Sequence, residues 1–287
     1  MLPILYFLGV VYLFILIEIW WAKRKDKVVH NWKESLSNII IMLGNNLIKP
    51  LTIAWKYFLF KLIEPFQPFD ITVNVWTILA TFFIAELAYY WYHRWNHEVP
   101  ALWTLHHTHH SSPWMNLTTA FRINWMGSFV GQVYFLPIIW IGFSPEVLAG
   151  CLAASLFYQF FLHTEFVGRL GWFEGLLFNT PSAHRVHHGS NEAYIDKNYG
   201  GMLIIFDRIF GTYQAETEAV NYGVTTGFMG HNPLKIIFLP LIQFVQGKWK
   251  REKDRVEGDN KIPGMDIKPK LKLDPANGGL QKDSCLT

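Results

Sequence analysis

The stretch Ala101–Pro113, ALWTLHHTHHSSP, places histidine at 106, 107, 109 and 110. Imidazole is a common metal ligand and a proton carrier near neutral pH, so its repetition here raises the question of a metal site. Two other groups share the spacing. HRWNH puts His93 and His97 at i and i+4, and HRVHH puts His184, His187 and His188 at i, i+3 and i+4, as in His106, His109 and His110. Residues three and four apart lie on one face of a helix, so each group aims two or three rings in one direction. His163, in QFFLHTEF, stands alone and brings the candidate ligands to nine. His107 fills a position the spacing does not require and is expected beside the ligands or exposed. His30 and His231 belong to no group and read as ordinary packed histidines. Glu98 follows His97 directly and Glu165 follows His163 by two residues; each would either fix an imidazole tautomer or remain an interfacial charge.

Nine imidazoles exceed the four ligands of a tetrahedral zinc and suit two adjacent metal ions with open positions. The 2 cysteines, Cys151 and Cys285, lie in an apolar run and a polar tail, so imidazole rather than thiolate would hold any metal. Imidazole accepts zinc, copper, iron and nickel alike. Iron follows from reaction class, not from spacing: a dinuclear iron centre beside a bilayer suits oxygen activation and attack on a lipid C–H bond.

The elements that must position these groups read as membrane helices. The chain is 51% hydrophobic, 17% aromatic and 16% charged, well below the ~25% charge of soluble domains. Its net charge of +3 and lack of a basic stripe exclude nucleic acid as a partner. Met1–Trp21 is apolar apart from Glu18 and precedes Lys23, Arg24, Lys25 and Lys27, the pattern of a signal anchor with its basic end in the cytosol. Further apolar segments span Ser37–Ile63, Ile71–Tyr92, Trp125–Phe143 and Pro145–Leu162. GNNLIKP, Gly44–Pro50, interrupts the first and suggests a kinked helix or re-entrant pair. FSPE separates the last two, which read as a transmembrane hairpin over about 125–162. The expected organisation is all-α and multi-pass: an N-terminal transmembrane region 1–88, a histidine-rich catalytic region 89–235 forming a helical cap, an interfacial segment with a basic cluster 236–256, and a disordered tail 257–287. Two crossings separate Lys27 from Tyr92, and the hairpin returns His163 and HRVHH to the same side. All nine imidazoles can then converge on the cytosolic membrane face.

HxxxH…HxxHH…HxxHH on a multi-span chain resembles the fatty acid hydroxylase and sterol desaturase superfamily. Within it the likeness is greatest to the ether-lipid-cleaving alkylglycerol monooxygenase branch. It covers roughly Tyr89–Phe238 and rests on YYWYHRWNHEVPALWTLHHTHHSS, YQFFLHTEF and LFNTPSAHRVHHGSNEAYIDKNYGGMLIIFDRIFGTYQAE, continuing into NYGVT and NPLK. The resemblance implies a di-iron, O2-dependent oxidase of membrane lipids, with reducing equivalents from tetrahydrobiopterin or an electron-transfer protein. In that branch the carbon beside an ether oxygen is hydroxylated and the hemiacetal collapses to a fatty aldehyde. His93, His97, His106, His109, His110, His163, His184, His187 and His188 fall on the family's histidine positions. Glu98 falls on the Glu after the first box, where a catalytic carboxylate is expected. Asn191, Asp196, Lys197, Asn198 and Tyr199 fall in the NxxxxDKNY run, expected to shape the site beneath the metals, and DRIFGTY (Asp207–Tyr213) reads as structural.

The chain departs from its relatives at Ala183 and Asn124, where many carry histidine, and no short motif marks a pterin pocket. Sterol desaturation and fatty-acyl hydroxylation are the alternative reactions within the superfamily. A non-catalytic haem or metal carrier is the reading from another class, but haem carriers place paired histidines inside the spanning helices, and mid-membrane ionisable residues suited to transport are scarce here.

Overall fold

The computed structural model describes residues 2–249, so the expected tail 257–287 and the basic cluster from Lys250 onward lie outside the described residues. Among the described residues ten helices run in the order α1 Leu2–Arg24, α2 Trp32–Ile63, α3 Val75–Glu98, α4 Pro100–His110, α5 Gly127–Val130, α6 Leu136–Ile141, α7 Pro145–Phe160, α8 Pro181–His187, α9 Ile205–Ile209 and α10 Pro233–Val245, with short 3-10 turns between them. The described residues form no strand, only the isolated bridges Phe178–Leu203 and Gly189–Tyr222. The all-α expectation therefore holds.

Local chemistry sets most helix limits. Asn31 opens α2 by accepting from the backbone N–H groups of Lys33 and Glu34 at 3.0 and 3.3 Å, which satisfies donors a helix start leaves unpaired. GNNLIKP does not divide the segment: α2 runs through Pro50 as one 32-residue helix. Asn74 and Thr77 form a reciprocal capping box that starts α3 at Val75, four residues later than the apolar run begins. The helix then continues through HRWNH to Glu98, so His93 and His97 sit on its last turns rather than beyond its end.

The two apolar segments expected as a transmembrane hairpin differ in regularity. Trp125–Phe143 breaks into α5, a 3-10 turn at Gly131–Phe135 and α6, which Gly142 ends at φ +116°. Ser144 caps α7, which has 16 residues. At 1.5 Å per residue α7 spans roughly 24 Å, short of the ~30 Å hydrocarbon core. The arms bury Phe135, Ile138, Ile139, Phe143 and Leu148 with Ala85 of α3 in the main apolar cluster. Among the described residues one helix, Trp32–Phe66, is long and apolar enough to cross a bilayer.

Buried polar pairs tie the helices to the histidine region. Glu18 of α1 accepts from Leu117 N at 2.9 Å and from Thr164 Oγ1, and His30 Nε2 lies 3.1 Å away. Glu34 of α2 accepts from Arg122 Nη1 at 2.6 Å and approaches His231 Nδ1 at 2.8 Å. Arg122 also donates from Nε to Thr108 O at 2.7 Å and from Nη2 to Ser111 Oγ at 2.9 Å. A fully buried guanidinium thus satisfies a carbonyl near the end of α4 that the helix cannot. His30 and His231 are packed partners of carboxylates, as their lack of a group suggested. In α10, expected as an interfacial segment, Ile236 and Ile237 are buried with Ile41 against α2, while Leu234, Ile242 and Val245 stay exposed.

Candidate metal centre

Four helical elements deliver the nine expected histidines to one place. α3 carries His93 and His97, α4 carries His106, His109 and His110, His163 follows α7, and α8 with its C-cap carries His184, His187 and His188. They form two groups, His93, His97, His106, His110 and His187 in the first and His109, His163, His184 and His188 in the second; within each group the potential ligand atoms all lie within 4.8 Å of one another. The division follows helix geometry. In each HxxHH box the i and i+4 residues stay together while i+3 crosses over: His106 and His110 join the first group and His109 the second, whereas His184 and His188 join the second and His187 the first. The groups share a wall, with His110 and His188 stacked at 4.4 Å between ring centroids and His187 and His188 at 5.3 Å.

Backbone carbonyls set three tautomers. His93 Nδ1–H donates to Tyr199 O at 2.7 Å, His187 Nδ1–H to Lys197 O at 3.0 Å and His163 Nδ1–H to Gln159 O at 2.9 Å. A carbonyl only accepts, so each of these rings carries its proton on Nδ1 and presents a lone pair at Nε2. Those lone pairs meet other imidazoles: His93 Nε2 is 2.9 Å from His106 Nε2, and His163 Nε2 is 3.2 Å from His109 Nε2 and 3.0 Å from His184 Nε2. Nε2 of His97 and of His187 are buried without a hydrogen-bond partner. Burial lowers His93 and His163 to a pKa of about 4. Burial first, then repulsion from neighbouring imidazoles, holds His97, His106, His109, His110, His184 and His188 well below the usual range. Neutral, converging imidazoles with unpaired nitrogens are the donor set a soft-to-borderline cation satisfies, and each group could hold one metal ion.

The fatty acid hydroxylase family model matches residues 78–212, a range that contains all nine histidines. That region is similar to the fatty acid hydroxylase family. The chain is similar to the alkylglycerol monooxygenases of Homo sapiens, 44% identical over 174 residues (61% of this chain, 39% of that protein), and Danio rerio, 45% identical over 152 residues (53% and 34%). It is also similar to the ornithine lipid hydroxylase of Rhizobium tropici, 31% identical over 148 residues (50% and 44%). The chain spans about two fifths of the length of the alkylglycerol monooxygenases it matches. No solved structure matches it at a significant level.

Within the matched region, Glu98 lies in neither histidine group. Consecutive helical residues point about 100° apart, so Glu98 turns away from the face of His97 and meets Arg94 one turn back, accepting from Nε at 2.9 Å. Glu165 likewise bonds Lys27 at 3.4 Å rather than an imidazole. Asp196 is the carboxylate near the first group, with Oδ1 3.8 Å from His97 Nδ1, beyond hydrogen-bond range. His107 is fully buried, with Nε2 2.9 Å from Thr226 Oγ1 and its ring against Trp103; it joins neither group, and the exposed alternative for it is excluded. Asn124 donates to Thr108 Oγ1 and Ile237 O, each at 3.0 Å, and so joins α4 to α10. His107→Ala is expected to leave metal content intact while lowering stability by about 1–3 kcal/mol through the cavity and the unpaired hydroxyl, read as a lower melting temperature at unchanged metal stoichiometry.

The sequence marked DKNY and DRIFGTY as shaping segments without saying how. Asp207 accepts from Tyr199 N, Gly200 N and Thr212 Oγ1, each at 2.7 Å, and burial raises its pKa to about 6. It thereby fixes the backbone whose Tyr199 carbonyl orients His93. Asn198, at φ +58°, donates to Ala183 O at 2.9 Å and Gln214 O at 2.7 Å, pinning the same run to α8. Asp207→Asn would turn an amide N–H toward one of two backbone donors. The expected result is roughly 10–100-fold weaker metal retention with every ligand present, measured by chelator competition; unchanged retention would dismiss the clamp.

Proposed function

We propose that the two histidine groups hold two iron ions and that the chain is a membrane-bound, O2-dependent lipid monooxygenase whose favoured reaction is ether cleavage of an alkylglycerol. The observation that carries this reading is the convergence of nine neutral imidazoles into two adjoining groups. The greater identity to alkylglycerol monooxygenases than to ornithine lipid hydroxylase favours the ether lipid. Bound iron would supply the activation of O2. In the overall reaction one oxygen atom enters the C–H bond beside the ether oxygen and the other leaves as water, with two electrons and two protons from the reductant. The hemiacetal then breaks its C–O bond to give a fatty aldehyde and glycerol. Tetrahydrobiopterin or an electron-transfer protein would provide the electrons.

The protein's part is positional. The carbonyls of Tyr199, Lys197 and Gln159 hold three rings with Nε2 inward, and burial excludes water from the second group. Glu98 enters as a positioning residue: it holds Arg94, which donates to Tyr90 Oη at 3.2 Å, and Tyr90 reaches Thr212 Oγ1 at 3.0 Å and so Asp207. α1, α2 and α3 would be embedded in the bilayer, with the histidine cap on its cytosolic face beside the lipid substrate. Purified protein should contain close to two iron ions per chain; haem absorbance or a single ion would refute the dinuclear reading. Membranes supplied with an alkylglycerol, O2 and reduced pterin should release fatty aldehyde. A hydroxylated or desaturated lipid with another donor, and no aldehyde, would move the substrate elsewhere in the superfamily.

A further inference from the structure

Between His163 and α8 the chain displays large apolar side chains outward. Phe166 is 46% exposed, Trp172 74% and Phe173 58%, and Leu170, Leu176 and Leu177 are exposed beside them. This segment is not slack. Glu174 is buried beneath it, accepting from Leu170 N at 2.8 Å and from Thr180 Oγ1. Ile204 N donates to Leu177 O and Asn179 N to Met202 O, both at 2.9 Å. Gly175 adopts φ +66° where Tyr213 occupies the space a Cβ would need, and Arg208 Nε donates to its carbonyl. A frame so well tied holds these side chains outward, at a free-energy cost in water that an apolar neighbour removes.

The surroundings identify that neighbour. Phe166 packs edge-on against Trp21 at 5.4 Å, at the end of α1. Lys27 lies over the Trp21 ring at 5.2 Å and bonds Glu165, while Arg24 lies over Trp20 at 5.0 Å. Upstream, α1 exposes Leu13, Phe14, Leu16 and Ile17. Along α1 the order is therefore exposed aliphatic, then tryptophan, then cation, which is the order of a bilayer from hydrocarbon to headgroup. The apolar loop continues from that boundary, with Arg169 exposed at its edge. A second copy of this chain would have no reason to match such a gradient.

We propose that residues 166–178 seat in the lipid leaflet, as an aromatic loop inserted at the level of Trp20 and Trp21. It leads into Thr180, the N-cap of α8, so its depth sets the height of His184 and His187 relative to the leaflet. The proposal rests on the reading of the chain as membrane-embedded. Its test uses the full chain with Cys151 and Cys285 replaced by Ser, and Phe173→Cys labelled with an environment-sensitive nitrobenzoxadiazole dye. Glu192→Cys, at an exposed residue of the turn Glu192–Tyr194, serves as control, and metal content verifies the fold. In phosphatidylcholine–phosphatidylglycerol vesicles the label at 173 should shift to the blue and lose most of its emission to doxyl groups on lipid tails, while the label at 192 keeps its emission. Equal, water-like emission at both positions overturns the proposal. A blue shift without lipid quenching overturns it too, by assigning the loop to a protein partner. A chain that fails to float with the vesicles overturns the membrane reading and this inference together.

Discussion

Replacing His106 or His184 by Ala is expected to remove one metal ion per chain and abolish lipid oxidation. His106 Nε2 lies 2.9 Å from His93 Nε2 and 3.1 Å from His110 Nε2, so it sits among the lone pairs of the first group. His184 Nε2 has the same place in the second, 3.0 Å from His163 Nε2 and 3.1 Å from His188 Nε2. Loss of a ligand leaves neutral imidazoles that still pack but no longer complete the donor set, so the fold should survive better than the metal. Iron analysis should fall from near two to near one per chain in each variant, and activity by several orders of magnitude, since a dinuclear reaction needs both sites. The comparison with His107→Ala is the control on helix α4 itself. If His106→Ala and His107→Ala lost metal equally, the division of α4 into ligating and packing histidines would be wrong.

Acidifying the metal-stripped protein is expected to open the histidine cap between about pH 6.5 and 4. The folded-state pKa values of His93 and His163 lie near 4, below the ~6.5 of an exposed imidazole. Above pH 6.5 both states hold these rings neutral and the shift contributes no penalty. Below it the unfolded chain takes up protons that the folded chain refuses, so stability falls as pH drops towards 4. Each group contributes about 1.4 kcal/mol per pH unit across that window, and His93 and His163 together about 7 kcal/mol at its lower end, comparable with the whole stability of a typical domain. Melting temperature against pH reads this directly. A metal-free protein equally stable at pH 7 and pH 4.5 would refute the buried, neutral state of the cluster.

The histidine grammar was legible because it is local. Helical periodicity alone brings His106, His109 and His110 to one side, as it does His184, His187 and His188, and it required nothing beyond spacing. The same periodicity, applied strictly, also separates Glu98 from His97 and His107 from His106, since neighbours along a helix diverge. Apolar length proved less informative over Trp125–Phe143. Its hydrophobic residues satisfy a membrane pattern and a packed core equally well, and Gly142 with Pro137 breaks the backbone whichever neighbour it has.

The chain by itself determined the all-helical class, the nine imidazoles and their common faces, since these depend on residue type and short-range geometry. Only the tertiary structure decided how the faces are shared. That His187 joins the group of His93 and His97, while His109 joins His163, depends on α3, α4, α8 and the end of α7 meeting across separations of up to about a hundred residues. The orienting acceptors are equally hidden: the carbonyls of Tyr199, Lys197 and Gln159 exist at every sequence position, and nothing in a residue's identity says which imidazole a backbone oxygen will meet. Side-chain chemistry is written along the chain, but the direction of a lone pair is fixed by packing.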